Sequence, residues 1–74
     1  MKKHKYERIL DMFIALEGGK HLPKNILANE YEVDERTIQR DLDDIRAYYS
    51  DSIAQIGARE LVYDRINKKY KVSL

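Results

Sequence analysis

The spacing of apolar residues changes once along the chain, and this change limits the folds open to it. Three stretches in the first fifty residues repeat apolar positions every three or four places, which predicts amphipathic helices. Beyond residue 59 the apolar residues alternate with polar ones, which predicts two short β-strands. The sequence therefore predicts a mainly α-helical fold with a small β-hairpin.

Length and composition allow one small domain. The chain has 74 residues and no cysteine, so neither disulfides nor cysteine-based zinc sites stabilise it. Its longest apolar stretch, Met12 to Leu16, is far shorter than the roughly 20 residues that cross a bilayer. No signal peptide is recognisable. We expect residues 1–74 to form a single cytoplasmic domain with no membrane contact.

The first helix is predicted over Lys3–Glu17. It ends at Gly18-Gly19, where a residue without Cβ adopts the left-handed conformation that closes a helix. Tyr6 opens a stripe of residues at helical spacing that we expect to face the core. The full stripe is Tyr6, Ile9, Leu10, Phe13, Ile14 and Leu16.

A second and a third helix follow a short connection. Pro23 is expected to open the second helix, which turns at Glu32-Val33. Asp34 suits the N-cap position, so the third helix begins at Glu35. Its inner face is predicted to hold Ile38, Leu42, Ile45 and Tyr49, its outer face Arg36, Arg40, Asp43 and Ala47, and its flanks Thr37 and Gln39.

The remainder is predicted to be a hairpin. Leu61 and Tyr63 alternate with polar neighbours, as do Tyr70 and Val72, on either side of a basic turn at residues 66–69. For Ser50–Gly57 two interpretations stay open: Ile53 and Ile56 form one helical turn against the core, or they anchor a loop.

Charge is distributed unevenly although the net charge is only +1. Residues 1–8 carry four basic and one acidic side chain, and residues 59–74 carry five and two, so each end has a charge of +3 and the middle −5. Basic ends around an acidic centre fit a nucleic-acid footprint, or a solvated charged surface.

The run from Leu27 to Leu42 is the most specific motif. Two helices crossing through a short turn need a small residue at their contact, supplied by Ala28, and apolar residues in the angle, supplied by Val33 and Ile38. Such a pair projects the second helix, which suits the DNA major groove. A three-helix bundle without a nucleic-acid role is the structural alternative.

These residues resemble the N-terminal winged helix-turn-helix of WYL-domain bacterial transcription regulators, and more distantly DeoR-type repressors. The resemblance covers nearly the whole chain. Its segments are Arg8-Ile9-Leu10, Leu27-Ala28, Val33 to Leu42, Asp44 to Tyr48 and Val62 to Arg65. It implies a sequence-specific, usually homodimeric module for double-stranded DNA, excised from a longer regulator, with the hairpin as the wing.

The chain departs from that family pattern at three turns. Glu32 stands where the family has glycine, at a position whose φ is commonly positive, and a glutamate there costs on the order of 1 kcal/mol. Pro23 replaces a capping Ser or Thr, and Lys69 replaces the glycine that precedes the aromatic residue of the wing turn.

We expect three groups of residues to contact DNA. The resemblance places Thr37, Gln39 and Arg40 at recognition positions. Asp41 is expected to be structural, paired with Arg8 or Arg46. The complete set of expected contacts is Glu35, Arg36, Thr37, Gln39 and Arg40 on the third helix, Lys68 and Lys69 on the wing, and Lys3 and Lys5 in an N-terminal arm.

Each group has a structural alternative. Arg36 pairs with Glu32, and Arg40 with Asp43 or Asp44, in surface ion pairs. Lys68 and Lys69 are solubilising charges, and the N-terminal lysines form an untethered basic terminus. Of six tyrosines, we expect Tyr48 to be free and the others to point inward, which disfavours a single-strand stacking platform.

No pattern of a catalytic site, metal centre or cofactor site is present, so we do not expect an enzyme and expect no metal or cofactor. His4 and His21 are isolated. The competing hypothesis is a winged-helix module for protein interaction or dimerisation without direct DNA contact. It predicts an exposed apolar patch on the wing or the third helix.

Overall fold

The computed structural model describes residues 3–52 and 59–73. Three helices precede a two-stranded antiparallel hairpin, which is the layout of a winged helix and confirms the predicted fold class. The interpretations offered for Ile53 and Ile56 lie outside the described residues. The elements are α1 (Lys5–Glu17), α2 (Lys24–Tyr31), α3 (Glu35–Asp51), β1 (Glu60–Asp64) and β2 (Lys69–Ser73).

Left-handed residues end both α1 and α2. At Gly19 φ is 85°, and the amides of Gly19 and Lys20 donate to the carbonyl oxygens of Leu16 and Ala15. Glu32 has φ 57° and ψ 44°. The amides of Glu32 and Val33 donate in the same way to the carbonyl oxygens of Asn29 and Ala28. Both ends are Schellman motifs. The departure from glycine at Glu32 therefore leaves the turn in its left-handed form rather than remodelling it.

Asp34 begins α3 as predicted. Its Oδ1 accepts hydrogen bonds from the Thr37 amide (2.8 Å) and the Thr37 hydroxyl (2.7 Å). These two bonds hold the pKa of Asp34 below its ordinary value, with smaller contributions from Arg36 and Arg40. The cap fixes the first turn of the helix expected to read DNA.

The hydrophobic core surrounds α3. Its predicted inner face is buried throughout, at Ile38, Leu42, Ile45 and Tyr49. Helices α1 and α2 and both strands pack around this face. These elements contribute Met12, Leu16, Leu27, Ala28, Leu61 and Tyr70, and the connection between α1 and α2 contributes Leu22.

The predicted inner stripe of α1 is wrong in part. Tyr6, Leu10 and Ile14 are 65%, 56% and 68% exposed. The buried residues of this helix are instead Arg8, Met12 and Leu16, four positions apart on one face. The helix is rotated because Arg8 must reach the carboxylate of Asp41, which is 1% exposed and needs a partner inside the protein.

The pairing of Arg8 with Asp41 confirms the structural role expected of this carboxylate. The Arg8 Nε donates to Oδ2 at 2.7 Å and Nη2 to Oδ1 at 3.4 Å. The Nη1 atom donates to the carbonyl oxygen of Lys3 (3.0 Å), so the same guanidinium also holds the chain before α1. Helix α1 itself begins at Lys5, two residues later than predicted.

The hairpin is attached to the helices through its second strand. Leu61 faces Val72 and Tyr63 faces Tyr70 across the two strands. Leu22 lies beside β2, and its amide and carbonyl each pair with Tyr70 at 2.7 Å. This bridge gives the hairpin a third backbone neighbour, which helps because a two-stranded hairpin alone is marginally stable.

Two smaller predictions are corrected. Pro23 has extended backbone angles and is the N-cap of α2, so the helix begins at Lys24. Two tyrosines that were expected to point inward are exposed. Tyr6 lies on the solvent-facing side of α1, and Tyr63 packs against Tyr70 with ring centroids 4.9 Å apart while remaining exposed itself. Tyr49 and Tyr70 are buried as expected, and Tyr48 is exposed.

Candidate nucleic-acid interface

The outer face of α3 presents two arginines. Arg36 and Arg40 are exposed one turn apart. The two carboxylates that offered Arg40 a surface pair are engaged elsewhere. Asp43 Oδ1 accepts from Gln39 (3.0 Å) and from Arg46 (3.4 Å), and Asp44 pairs with Lys5 at 3.1 Å. Both carboxylates proposed as partners of Arg40 therefore have other partners, and Arg40 is exposed.

Thr37 is half-buried at the start of α3. Its hydroxyl proton is used in the hydrogen bond to Asp34, at 2.7 Å. A hydroxyl has one proton to donate, so in this conformation Thr37 holds the helix cap and offers an incoming phosphate no donor. The structure places this residue beside the expected interface in a supporting position.

Gln39 joins α3 to the wing. Its Oε1 accepts hydrogen bonds from the Tyr70 hydroxyl (2.8 Å) and from Lys24 Nζ (3.2 Å). Its Nε2 donates to Asp43. The amide oxygen accepts two bonds and one of the two Nε2 protons is used, so Gln39 can read a base with its second N–H or by exchanging one of these bonds. The residue ties the third helix, α2 and β2 together.

The wing turn is built by Asp64. Its Oδ1 accepts from the amides of Ile66 (3.0 Å) and Asn67 (3.3 Å), and its Oδ2 from the Asn67 side chain (2.7 Å). These bonds, that of the Asn67 side chain foremost, lower the pKa of Asp64. The turn closes with Lys68 in the left-handed region at φ 55°, one position before the glycine position of the family pattern.

A cleft brings part of the predicted site together. It lies between the first turns of α2 and α3 and the wing turn, and its lining includes Glu35, Lys68 and Lys69. Lys24 lies on the opposite wall, beside Gln39. Three lysines thus converge on one concave surface, with the carboxylate of Glu35 among them.

Lys3 and Lys5 lie elsewhere. Lys3 Nζ is 2.6 Å from the Asp11 carboxylate on α1, and Lys5 Nζ is 3.1 Å from Asp44 on α3. The bond to Asp11 raises the pKa of Lys3. Both cations are held against the helices on the α1 side of α3, so the structure does not bring these arm residues to the cleft with Lys68 and Lys69.

Sequence reasoning missed two residues of this surface. Lys24 is not among the predicted contacts, although a lysine in the first turn of α2 is a usable signal because that turn lies next to α3 in a helix-turn-helix. Ile66 is 91% exposed at the wing tip. An isoleucine in a polar turn is an unusual residue and a usable sequence signal, because turns favour Gly, Asn, Asp, Pro and Ser.

Residues 3–52 and 59–73 contain no group of three side chains arranged to hold a metal ion. Within the same ranges, no helix combines the length and apolarity that crossing a membrane requires. Comparison with protein-family models, curated proteins and solved structures gave no match.

Proposed function

We propose that this domain binds double-stranded DNA sequence-specifically as part of a cytoplasmic transcriptional regulator, with α3 in the major groove and the wing on flanking phosphates. The observation that carries the proposal is the pair of exposed arginines, Arg36 and Arg40, next to a cleft lined by Lys24, Lys68 and Lys69. Lys5, on the opposite flank of α3, is instead paired with Asp44.

The arginines of α3 and the lysines of the cleft are assigned different contacts with DNA. Arg36 and Arg40 project from the N-terminal half of a helix, the part that meets base edges when a helix enters the major groove. An arginine there recognises guanine with two hydrogen bonds. The lysines of the cleft act as point charges for phosphates, which position the domain without reading sequence.

The backbone of Lys68 supports a role for its side chain. A non-glycine residue at φ 55° carries strain on the order of 1 kcal/mol, which a glycine would avoid. A strained backbone is found most often where function requires it. Glu32 has a similar backbone at the end of α2, so the strain at Lys68 supports a phosphate contact only together with its place in the cleft beside Lys69.

Gln39 and Thr37 are assigned supporting roles. The bonds of Gln39 to Tyr70 and Lys24 fix the angle between α3 and the wing, and those of Thr37 to Asp34 fix the first turn. A rigid frame of this kind lowers the entropic cost of binding, because fewer side chains are ordered in the complex.

The test is to select a duplex from a pool with a randomised core and to measure binding by fluorescence anisotropy over a range of salt concentrations. Arg40→Ala should weaken binding to the selected duplex by about 1–3 kcal/mol and relax the preference at one base pair. Lys69→Ala should weaken binding to all duplexes alike and reduce the slope of log K against log salt by about 1.

Lys20→Ala is the matched control. Lys20 is an exposed cation that directly follows Gly19, and Gly19 lines a shallow groove with Arg59 and Val72 at the end of the hairpin away from its turn. It should leave affinity, preference and salt slope unchanged. If Arg40→Ala binds as tightly as Lys20→Ala, Arg40 does not contact DNA. Flat titrations of the wild-type protein at low salt would refute DNA binding altogether.

A second candidate function has support from a different surface. The interaction-module hypothesis predicted an exposed apolar patch on the wing or third helix, and Tyr48 of α3 is 49% exposed beside Leu10 of α1. This surface lies on the α1 flank of α3 rather than on its arginine face. Protein interaction and DNA binding are therefore compatible in one domain.

A further inference from the structure

An apolar stripe runs along the outside of α1. Tyr6, Leu10 and Ile14 follow one another at intervals of four residues, and each is more than half exposed. Beside the stripe lies an open groove between α1 and α3, lined by Ile9, Leu10, Phe13, Ile45 and Tyr48. Stripe and groove together are here called the α1 face.

The α1 face is large for a domain of this size. At the roughly 150–250 Å² that an aromatic residue occupies, and somewhat less for leucine and isoleucine, its exposed fractions amount to roughly 450 Å² of apolar surface. A stable interface buries about 800 Å² per partner, of which about 65% is apolar in homodimers. The face therefore supplies most of the apolar area that one protomer of a dimer needs.

The pattern of the stripe fits a second copy of itself. Tyr6 and Ile14 are equally distant in sequence from Leu10, so an antiparallel α1 from another chain sets Leu10 against its own copy and Tyr6 against Ile14 of the other chain. This is the self-complementarity that a two-fold interface requires. Antiparallel helices also bring the positive end of each helix dipole beside the negative end of the other.

The aromatic residues of the groove support the same arrangement. Phe13 and Tyr48 meet edge to face, with ring centroids 5.5 Å apart, and Phe13 also contacts the buried Tyr49. Aromatic side chains held in place by their neighbours lose little entropy on association. They are also the residues enriched in interface cores.

We propose that this chain forms a two-fold symmetric homodimer through the α1 face, with Leu10 at the symmetry axis. The inference goes beyond DNA binding and does not depend on it. The face uses none of the cations assigned to DNA, so the dimer presents both arginine faces to solvent. Because the contact is apolar, its affinity should change little with salt, in contrast to DNA binding.

Sedimentation velocity of the DNA-free protein over a range from micromolar to millimolar concentration tests the proposal. The wild-type chain should shift from monomer to dimer. Leu10→Glu should raise the dimer Kd by about tenfold or more, because it places two carboxylates on the axis. Ile26→Glu is the matched control: Ile26 is 51% exposed against 56% for Leu10, lies on α2, and should leave the Kd unchanged.

A cross-link gives an independent measurement. The chain has no cysteine, so Leu10→Cys introduces a single thiol that should oxidise to a disulfide-linked dimer, whereas Ile26→Cys should not. At a concentration well below the dimer Kd, thermal unfolding of Leu10→Glu should match the wild type, since the side chain is more than half exposed in the monomer and association adds stability only at higher concentration.

Wild-type protein that stays monomeric at millimolar concentration would overturn the proposal and leave the face to a different protein. A dimer that Leu10→Glu does not weaken would overturn it as well. Either result leaves the anisotropy titrations with DNA unaffected, so the two proposals fail separately.

Discussion

Arg8 of α1 and Asp41 of α3 form an ion pair inside the protein, with Arg8 Nε 2.7 Å from Asp41 Oδ2. The two residues are 33 positions apart in sequence. Their contact decides which side of α1 faces the core, and hence that the stripe from Tyr6 to Ile14 faces solvent.

Replacing Arg8 with methionine should be strongly destabilising. It leaves the Asp41 carboxylate buried without its partner, at a cost of about 3–5 kcal/mol. A domain of this length has a total stability of only about 4–11 kcal/mol, at roughly 0.05–0.15 kcal/mol per residue. Urea unfolding followed by circular dichroism should show a midpoint far below that of the wild type, with much of the variant already unfolded without urea. The double variant Arg8→Met/Asp41→Leu should recover most of that stability, and a double variant as unstable as the single one would contradict the explanation.

Tyr70→Phe should loosen the wing without unfolding the helices. It removes the hydroxyl that donates to Gln39 Oε1, a hydrogen bond worth about 0.5–1.5 kcal/mol. Amide hydrogen exchange in β2 should speed up accordingly. Tyr63→Phe, on the facing strand and largely exposed, is the control and should change exchange little; equal effects of the two variants would argue against the tether.

Glu17 should contribute to stability in a pH-dependent manner. Its carboxylate accepts hydrogen bonds from Arg59 and from the Tyr49 hydroxyl, and these, Arg59 first, lower its pKa from the ordinary 4.5. A carboxyl whose pKa is lower in the folded protein contributes fully above the unfolded value, and its contribution disappears as the pH falls through the folded value.

The difference in urea midpoint between wild type and Glu17→Gln should therefore be constant from pH 7 down to about pH 5 and shrink as the pH falls further. A difference that persists unchanged to about pH 2 would assign the effect to packing instead of charge.

Lys68→Gly should separate stability from binding. Glycine relieves the left-handed backbone, so the free energy of unfolding should rise by up to about 1 kcal/mol. The same change removes a cation from the cleft and should weaken DNA binding and lower the salt slope. Lys69→Ala, at a position without positive φ, should weaken binding with no gain in stability. A stabilised Lys68→Gly that binds DNA as the wild type does would remove Lys68 from the interface.

Features determined by nearby residues could be predicted from the sequence. The cap at Asp34, the left-handed Gly19 and the inner face of α3 depend on a few consecutive residues each, and all three are confirmed. The outward position of Arg36 and Arg40 follows from the same helical periodicity.

Features determined by residues distant in sequence could not be predicted from the sequence. Helix α1 has apolar residues on more of its circumference than can be buried against the core. Periodicity alone therefore does not predict which side is buried, whereas the Arg8–Asp41 contact places Arg8 on the buried side. Gln39 was expected to face outward, but its amide turns to Tyr70, 31 positions away. The sequence predicts an N-terminal arm for Lys3 and Lys5 because their partners, Asp11 and Asp44, become neighbours only in the folded chain.

The bridge between Leu22 and Tyr70 has a consequence for solubility. It pairs the outer edge of β2 at Tyr70, so in the part of the chain that the structure describes the strand edge without any backbone neighbour belongs to β1. That edge begins at Glu60 and ends at Asp64, and charged residues on an edge discourage another chain from adding a strand. The sheet is thereby protected against edge-to-edge aggregation on one side by a backbone neighbour and on the other by like charge.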